Sequence, residues 1–212
     1  MMDYEIYKKR KDFFETHAQK WDDMWYKDTT TGQYVKHRES FERLFNLLPL
    51  KEGDSVLDVG CGTGILVPFI LDRIKDKGML YEMDYAYEML HINLRLHREK
   101  NVRFILAEAE NTPFKEGMFH GIICFSCFPH FHDKKNALLS MVRTLKKGGY
   151  FIVSHFDSSK DLNMHHAQYD AVMHDYLPDE DTMKGLFSMA GLNIYNFIDE
   201  TGFYYIMAQR NN

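Results

Sequence analysis

From residue 55 onward the chain alternates between short apolar runs and segments with helical spacing, and that alternation limits the fold more than any other feature. SVLDVG (55–60) reads as a strand, and 64–75 carries Leu66, Phe69, Ile70 and Ile74 on one helical face. MLYEMD (79–84) is a second strand, followed by a helix over 86–99 that turns Met89, Leu90 and Leu94 inward. VRFILAEA (102–109) and GIICFS (121–126) are the third and fourth strands. Asn136 to Leu145 forms a helix through Leu138, Met141, Val142 and Leu145, and YFIVSHF (150–156) is the fifth strand. Strands joined through helices pair in parallel with right-handed crossovers. The tail departs from this rule. Pro178 opens a helix bearing Met183, Leu186, Phe187 and Ala190, which Gly191 stops. LNIYNFI (192–198) and FYYIMAQ (203–209) are then separated by DETG alone, which permits a hairpin and no crossover, so the last strand should run antiparallel. The expectation is an α/β fold: a doubly wound, mostly parallel sheet with helices on both faces.

The 212 residues are 45% hydrophobic and 27% charged, enough for one sizeable core and one domain. Ahead of the alternation lies an aromatic, charged stretch with Phe13, Phe14, Trp21, Trp25, Tyr26 and Tyr34, then a helix burying Phe41, Leu44, Phe45 and Leu48. The formal net charge is −5, and the longest basic run, Lys8-Lys9-Arg10-Lys11, reads as a solvated helix end. No clustered basic face marks a nucleic-acid partner. No apolar stretch of the ~18 residues needed for a membrane span occurs, and no signal-peptide pattern opens the chain. Three cysteines, Cys61, Cys124 and Cys127, make no disulfide framework, so a cytoplasmic protein is expected. A homodimer is permitted.

The turn after the first strand is the prime ligand position of such a sheet. Gly60, Gly62 and Gly64 alternate there, and Ile65 stands where a dinucleotide turn needs its last glycine. Asp58 just before the turn would repel a pyrophosphate, so the ligand should present a positive or hydrogen-donating end. Asp84 ends the second strand, where an acid accepts from ribose hydroxyls, and Glu108 ends the third, beside a purine edge. An acidic end, a ribose and a purine in a row describe S-adenosylmethionine better than a dinucleotide.

VLDVGCGTG resembles the first motif of class I S-adenosylmethionine-dependent methyltransferases, and the resemblance extends over nearly the whole chain, toward the small-molecule ("type 11"-like) branch. It implies a Rossmann-like, seven-stranded sheet whose last strand is antiparallel. YEMDYAYEML is similar to the family's second-strand segment, which implies that Asp84 binds the ribose, with Tyr85 and Met89 near the adenine. FILAEAENTPF resembles the third-strand segment, which implies Glu108 and the Ala109 amide at the adenine. The first motif implies cofactor contacts at Asp58, Gly60, Cys61, Gly62 and Gly64, and MFHGIICFSCFPHFHD, similar to the fourth strand and its loop, implies one at Phe125. FFETHAQKWDD looks like the N-terminal lid helix of the small-molecule branch. The chain divides accordingly into a helical lid (1–50), a cofactor-binding half (51–156), and a substrate-side segment with a helix and hairpin (157–212). His120 stands where the family usually has Asp, and Glu108 replaces its commoner Asp.

The function implied is methyl transfer from S-adenosylmethionine to a small-molecule acceptor by in-line displacement. The alternatives are methylation of protein or RNA, and a non-catalytic cofactor-binding module. Acceptors with a hydroxyl or acidic carbon need a base, and the candidates are His130 after the fourth strand, His155 ending the fifth, and His165 in the polar segment after it. His17, His130, His155 and His165 could also gather round a metal, or be scattered surface imidazoles. Cys124 and Cys127 with nearby histidines fall short of a structural zinc pattern, and no metal is expected. The 157–178 segment is long for a connection and should cover the acceptor pocket.

Overall fold

The computed structural model describes residues 2–33 and 36–211, so Tyr34 lies outside the described residues. A seven-stranded sheet has the order β3-β2-β1-β4-β5-β7-β6, with β1 Ser55–Val59, β2 Met79–Asp84, β3 Val102–Leu106, β4 Phe119–Phe125, β5 Leu145–His155, β6 Leu192–Glu200 and β7 Phe203–Arg210. The first five strands pair in parallel, and β7 is antiparallel to both β5 and β6. The expected doubly wound sheet with a reversed last strand is therefore present. The order reverses between β1 and β4, and the carboxyl ends of those two strands open the crevice where ligands bind in such sheets. Several boundaries shift locally: β5 begins at Leu145 rather than 150, and the helix after β2 ends at Leu96 rather than 99. The β6–β7 link shortens to Thr201-Gly202, with Gly202 at φ +79°, a conformation favouring glycine. The last helix begins at Glu180 rather than Pro178, because Asp179 caps it by accepting from the Thr182 N–H.

The helices are α1 Met2–His17, α2 Trp21–Trp25, α3 Arg38–Leu47, α4 Val67–Ile74, α5 Tyr87–Leu96, α6 Lys134–Thr144, α7 Ser159–His166 and α8 Glu180–Met189. α3 and α4 cover one face of the sheet through Phe41, Leu44, Phe45, Val67, Ile70 and Ile74, packed on Val56, Leu80, Ile123 and Ile152. α6 and α8 cover the other through Leu138, Met141, Val142, Met183 and Phe187, packed on Leu57, Ile122, Phe151 and Val153. Phe41 and Phe45 stack on Phe69 with centroids 5.2 and 4.9 Å apart, which fixes α3 beneath the first crossover. No helix among the described residues is long and apolar enough to cross a membrane.

In α5 the expected inward Leu94 is 49% exposed, and Asn93 is fully buried in its place. Asn93 turns inward because it finds partners there: its amide donates to Glu82 Oε2 at 2.7 Å and to Cys61 Sγ at 3.4 Å. Along α1 and the turn after it the buried residues Arg10, Phe14 and Ala18 repeat every four positions, so Arg10 leaves the basic run and faces the protein. The expectation of a solvated run holds for Lys8 and Lys9 and fails at Arg10.

Candidate active site

The chain leaves β1 at Val59 and turns through Gly60, Cys61, Gly62, Thr63 and Gly64 before α4. All three glycines have positive φ, at +62°, +54° and +91°. Sterics demand glycine twice: a Cβ on Gly60 would lie 2.4 Å from Cys127 Cβ, and one on Gly64 would lie 2.3 Å from Asn93 Oδ1. Gly62 faces open space, and its N–H donates to Asp84 Oδ2 at 2.9 Å. The Gly60 N–H donates to the Met83 carbonyl at 2.7 Å, so the turn is tied to the end of β2.

Three carboxylates lie at and below this turn. Asp58 is 1% exposed, lines the cavity above the strand ends, and has an Oδ2 with no hydrogen-bond partner. Its register partner on β2 is Glu82, fully buried. Burial, then the Glu82 carboxylate, holds the Asp58 carboxyl well above the usual carboxylate range. Burial pushes Glu82 up to about 8, against the Asn93 hydrogen bond, and pushes Asp84 up to about 6. Asp84 accepts from the Gly62 and Ala86 amides, which fixes its carboxylate at the mouth of the turn. Glu82 and Asn93 were not among the sequence candidates, although a charge inside the apolar run MLYEMD was the signal for the first.

β3 ends at Leu106, so Glu108 stands two residues beyond the strand rather than terminating it, because the pairing closes with the Ala107 N–H donating to the Asp84 carbonyl. Glu108 still lines the cavity, with Ala109. The roof is α1 and α2, and four tethers join it to the loops and to the start of α5 below. The Tyr7 hydroxyl donates to Glu108 Oε1, and the Glu15 carboxylate accepts from the Tyr87 and Glu88 amides at 2.9 and 2.7 Å. The Thr63 hydroxyl donates to Asp22 Oδ1, and Arg10 reaches the loop after β4. Phe14 and Trp21 meet at 5.5 Å between centroids, and Tyr7 and Tyr85 at 5.9 Å. Sequence inspection marked this region as a lid but gave no sign of which side chains would anchor it.

Beneath the roof lies a cavity of about 960 Å³, counting the part open to solvent, a size suited to a drug-sized ligand. It is lined by the cofactor candidates Asp58, Gly60, Cys61, Gly62, Asp84, Tyr85, Met89, Glu108, Ala109 and Phe125. Gly64 is set back behind the turn, where it makes room for Asn93. Of the histidine candidates, His130 lines the cavity. His155 is 3% exposed at the end of β5, with Nε2 unpartnered. His165 packs on Trp25 and Tyr169, and His17 hydrogen-bonds the Phe13 carbonyl. Of the two alternatives, a gathering of imidazoles or a scatter, His17 and His165 have other partners, and the imidazole beside His130 is that of His166, at 5.1 Å between centroids. Cys124 Sγ lies against Met141 and Cys127 Sγ donates to the Val59 carbonyl, so the two thiols serve packing. Among the described residues no group of three His, Cys, Asp or Glu side chains is placed to hold a metal. At His120 the ring Nδ1 accepts from the Ser55 N–H at 2.9 Å, pinning the start of β1.

Residues 57–153 match a family model described as a methyltransferase domain. The chain is 30% identical over 179 residues to the ubiquinone/menaquinone biosynthesis C-methyltransferase UbiE of Vibrio vulnificus, an alignment covering 72% of this chain and 69% of that protein. A methyltransferase in complex with the Haloferax volcanii Trm112 methyltransferase activator superposes with a TM-score of 0.78 at 18% identity, covering 94% of this chain and 98% of the other. A SAM-dependent methyltransferase from Aquifex aeolicus superposes with a TM-score of 0.69 at 20% identity, covering 92% and 97%. At those identities the structures establish the shared fold.

Proposed function

The chain belongs to the class I S-adenosylmethionine-dependent methyltransferases, and on that premise we propose that its acceptor is a small molecule enclosed under the α1–α2 roof. The observation that carries this reading is the roofed cavity itself. Aromatic rings from α1 and α2 cover the strand ends, and four tethers fasten that cover to three loops and the start of α5. A protein or RNA segment would have to displace these contacts, whereas a metabolite fits beneath them. The similarity to a C-methyltransferase of quinone biosynthesis supports the same acceptor size.

The residues present fit the methyl donor. A buried carboxylate oxygen without a partner is costly, and Asp58 Oδ2 is such an atom, placed on the cavity wall. In this reading Asp58 holds the donor's ammonium group, Asp84 accepts from the ribose hydroxyls, and Glu108 with the Ala109 amide meets the adenine edge. Tyr85, Met89 and Phe125 supply apolar walls, and Gly60, Cys61 and Gly62 let the backbone approach. When bound, S-adenosylmethionine supplies an electrophilic methyl group and so carries the difficult chemistry. The protein aligns the acceptor with the methyl–sulfur bond and keeps water out, a proximity effect. We place the lid at 1–50, the cofactor half at 51–156 and the acceptor-side segment at 157–212. Calorimetric titration with S-adenosylmethionine tests the first half of the reading, and absence of binding at high micromolar cofactor would refute it. The second half is tested by S-adenosylhomocysteine release with a metabolite panel set against protein and RNA fractions stripped of metabolites. Turnover confined to the macromolecular fractions would overturn the small-molecule assignment.

A further inference from the structure

Beside the cavity, away from the row of strand-end acids, two side chains from distant parts of the chain meet one buried carboxylate. Asp175, 3% exposed, places Oδ2 2.7 Å from His130 Nδ1 and Oδ1 2.6 Å from Arg10 Nη2. Arg10, on α1 and 4% exposed, also donates through Nη1 to the His130 carbonyl. His166 Nδ1 donates to the Asp175 carbonyl at 2.8 Å, which holds the 175 backbone in place. Phe14 meets the His130 ring edge-on at 5.1 Å. The ring is therefore fixed from the carboxylate side, from the backbone side and from one edge, while it lines the cavity.

Fixation of this kind has a chemical consequence. A carboxylate on Nδ1 keeps the ring proton there in the neutral state, which leaves the Nε2 lone pair free, and it stabilises the imidazolium formed when Nε2 takes a proton. Arg10 balances the Asp175 charge through the 2.6 Å ion pair. The other ionisable groups around it include Lys134, which donates to the Pro129 and Phe131 carbonyls, the Tyr85 phenol, and the imidazoles of His155 and His166. Burial holds His166 down at about 4 and His155 well below the usual histidine range, so neither adds charge near neutral pH.

Building on the small-molecule reading above, we infer that Asp175 and Arg10 are positioning residues that hold His130 as the general base of methyl transfer, and that the acceptor is a hydroxyl or carbon acid that must shed a proton. The bonding balances as follows: the acceptor's O–H or C–H bond breaks and its proton passes to His130 Nε2. The freed electron pair bonds the methyl carbon, and the methyl–sulfur pair stays on sulfur. The products are methylated acceptor, S-adenosylhomocysteine and a proton that His130 returns to solvent. A thiolate or thioether acceptor would need none of this. Because Arg10 rides on α1, the base is completed only when the lid is docked, which couples proton removal to the exclusion of water.

The test begins with the imidazole ¹H–¹⁵N spectrum of the whole protein, with His130→Gln identifying the His130 signals. The expected result is that the neutral ring carries its proton on Nδ1; a neutral ring with its proton on Nε2 overturns the inference. Next, kcat and KM are measured against pH for hydroxyl, carbon-acid, amine and thiol acceptors. His130→Gln and Asp175→Asn should each lower kcat by ~10²-fold, with cofactor affinity unchanged, and Asp175→Glu should recover part of the loss. Turnover confined to thiols, or wild-type kcat in His130→Gln, overturns it. If Asp175→Asn does not fold, the wild-type spectrum and His130→Gln still decide. If the wild type binds cofactor but methylates nothing in the panel, the small-molecule reading fails and the spectrum alone decides the positioning of His130.

Discussion

Gly60 offers a sharp test of the packing beneath the cofactor turn. An added Cβ would lie 2.4 Å from Cys127 Cβ, while the same change at Gly62 meets nothing within 4 Å, and both residues have φ near +60°. The two substitutions therefore share the backbone cost and differ in the collision. Left-handed backbone costs an alanine roughly 1–2 kcal/mol, of which ~0.4–1 kcal/mol is recovered because the unfolded chain loses freedom. Gly62→Ala should then cost about 1 kcal/mol. Overpacking typically adds ~1–3 kcal/mol, so Gly60→Ala should cost about 2–4 kcal/mol. For a chain of this size each kcal/mol lowers Tm by ~2–4 °C, giving falls of about 2–4 °C and about 4–16 °C. Thermal melts without cofactor read both. Removing the opposing atom with Cys127→Gly should relieve the collision, so the double variant should be more stable than the sum of the singles by ~1–2 kcal/mol, within the range found for touching residues. Equal melting losses for Gly60→Ala and Gly62→Ala, or strict additivity with Cys127→Gly, would refute the reasoning.

Asp58→Asn should weaken S-adenosylmethionine binding by about 10–100-fold, the worth of one hydrogen bond to a charged group, while raising the Tm of the free protein at alkaline pH; calorimetry and melts report the two effects. The raised carboxyls set a pH trend in the free protein. Groups with raised pKa bind protons more tightly when folded, so stability is greatest below the ordinary carboxylate range and falls as pH climbs through about 6 for Asp84 and about 8 for Glu82. Glu82→Gln should flatten the upper part of that slope in melts across about pH 5 to 9, and an unchanged slope would contradict the assignment. Glu15→Ala removes the acceptor of two α5 amides and should cost ~1 kcal/mol, as loss of a helix cap does; a melt and increased amide exchange at Tyr87 and Glu88 check it.

The sheet and the place of Asp58, Asp84 and Glu108 on the cavity wall were legible because each depends on near neighbours in sequence. Apolar runs of strand length, helical spacing between them and a glycine turn after Asp58 are local patterns, and the parallel pairing with a reversed last strand followed from the connections they imply. The failures are contacts between distant positions or choices between rival faces. Leu94 fits helical spacing as well as Asn93 does, and what turns Asn93 inward is Glu82, a partner supplied by another strand. Arg10 sits in a run of like charges whose composition suggests solvent, and its burial depends on Asp175, far along the chain. The histidine candidates were chosen by strand position; that placed His130 on the cavity, but nothing in the sequence pairs it with Asp175 or prefers His166 over its neighbour His165.

The reversed strand at the end of the sheet has a consequence for how the protein is made. β7 lies between β5 and β6, and Phe203, Tyr204, Tyr205, Ile206 and Ala208 are all buried. β6 pairs with β7 and with no other strand among the described residues, so it has nothing to join until β7 is in place. Residues 192–200 thus leave the ribosome before the strand that will hold them, and β5 waits with one open edge at His155, beside the residues assigned here to acceptor chemistry. The sheet from β3 to β5 can consolidate during synthesis. The β6–β7 hairpin is a late arrival, and a chaperone that binds exposed strand edges would find its target there.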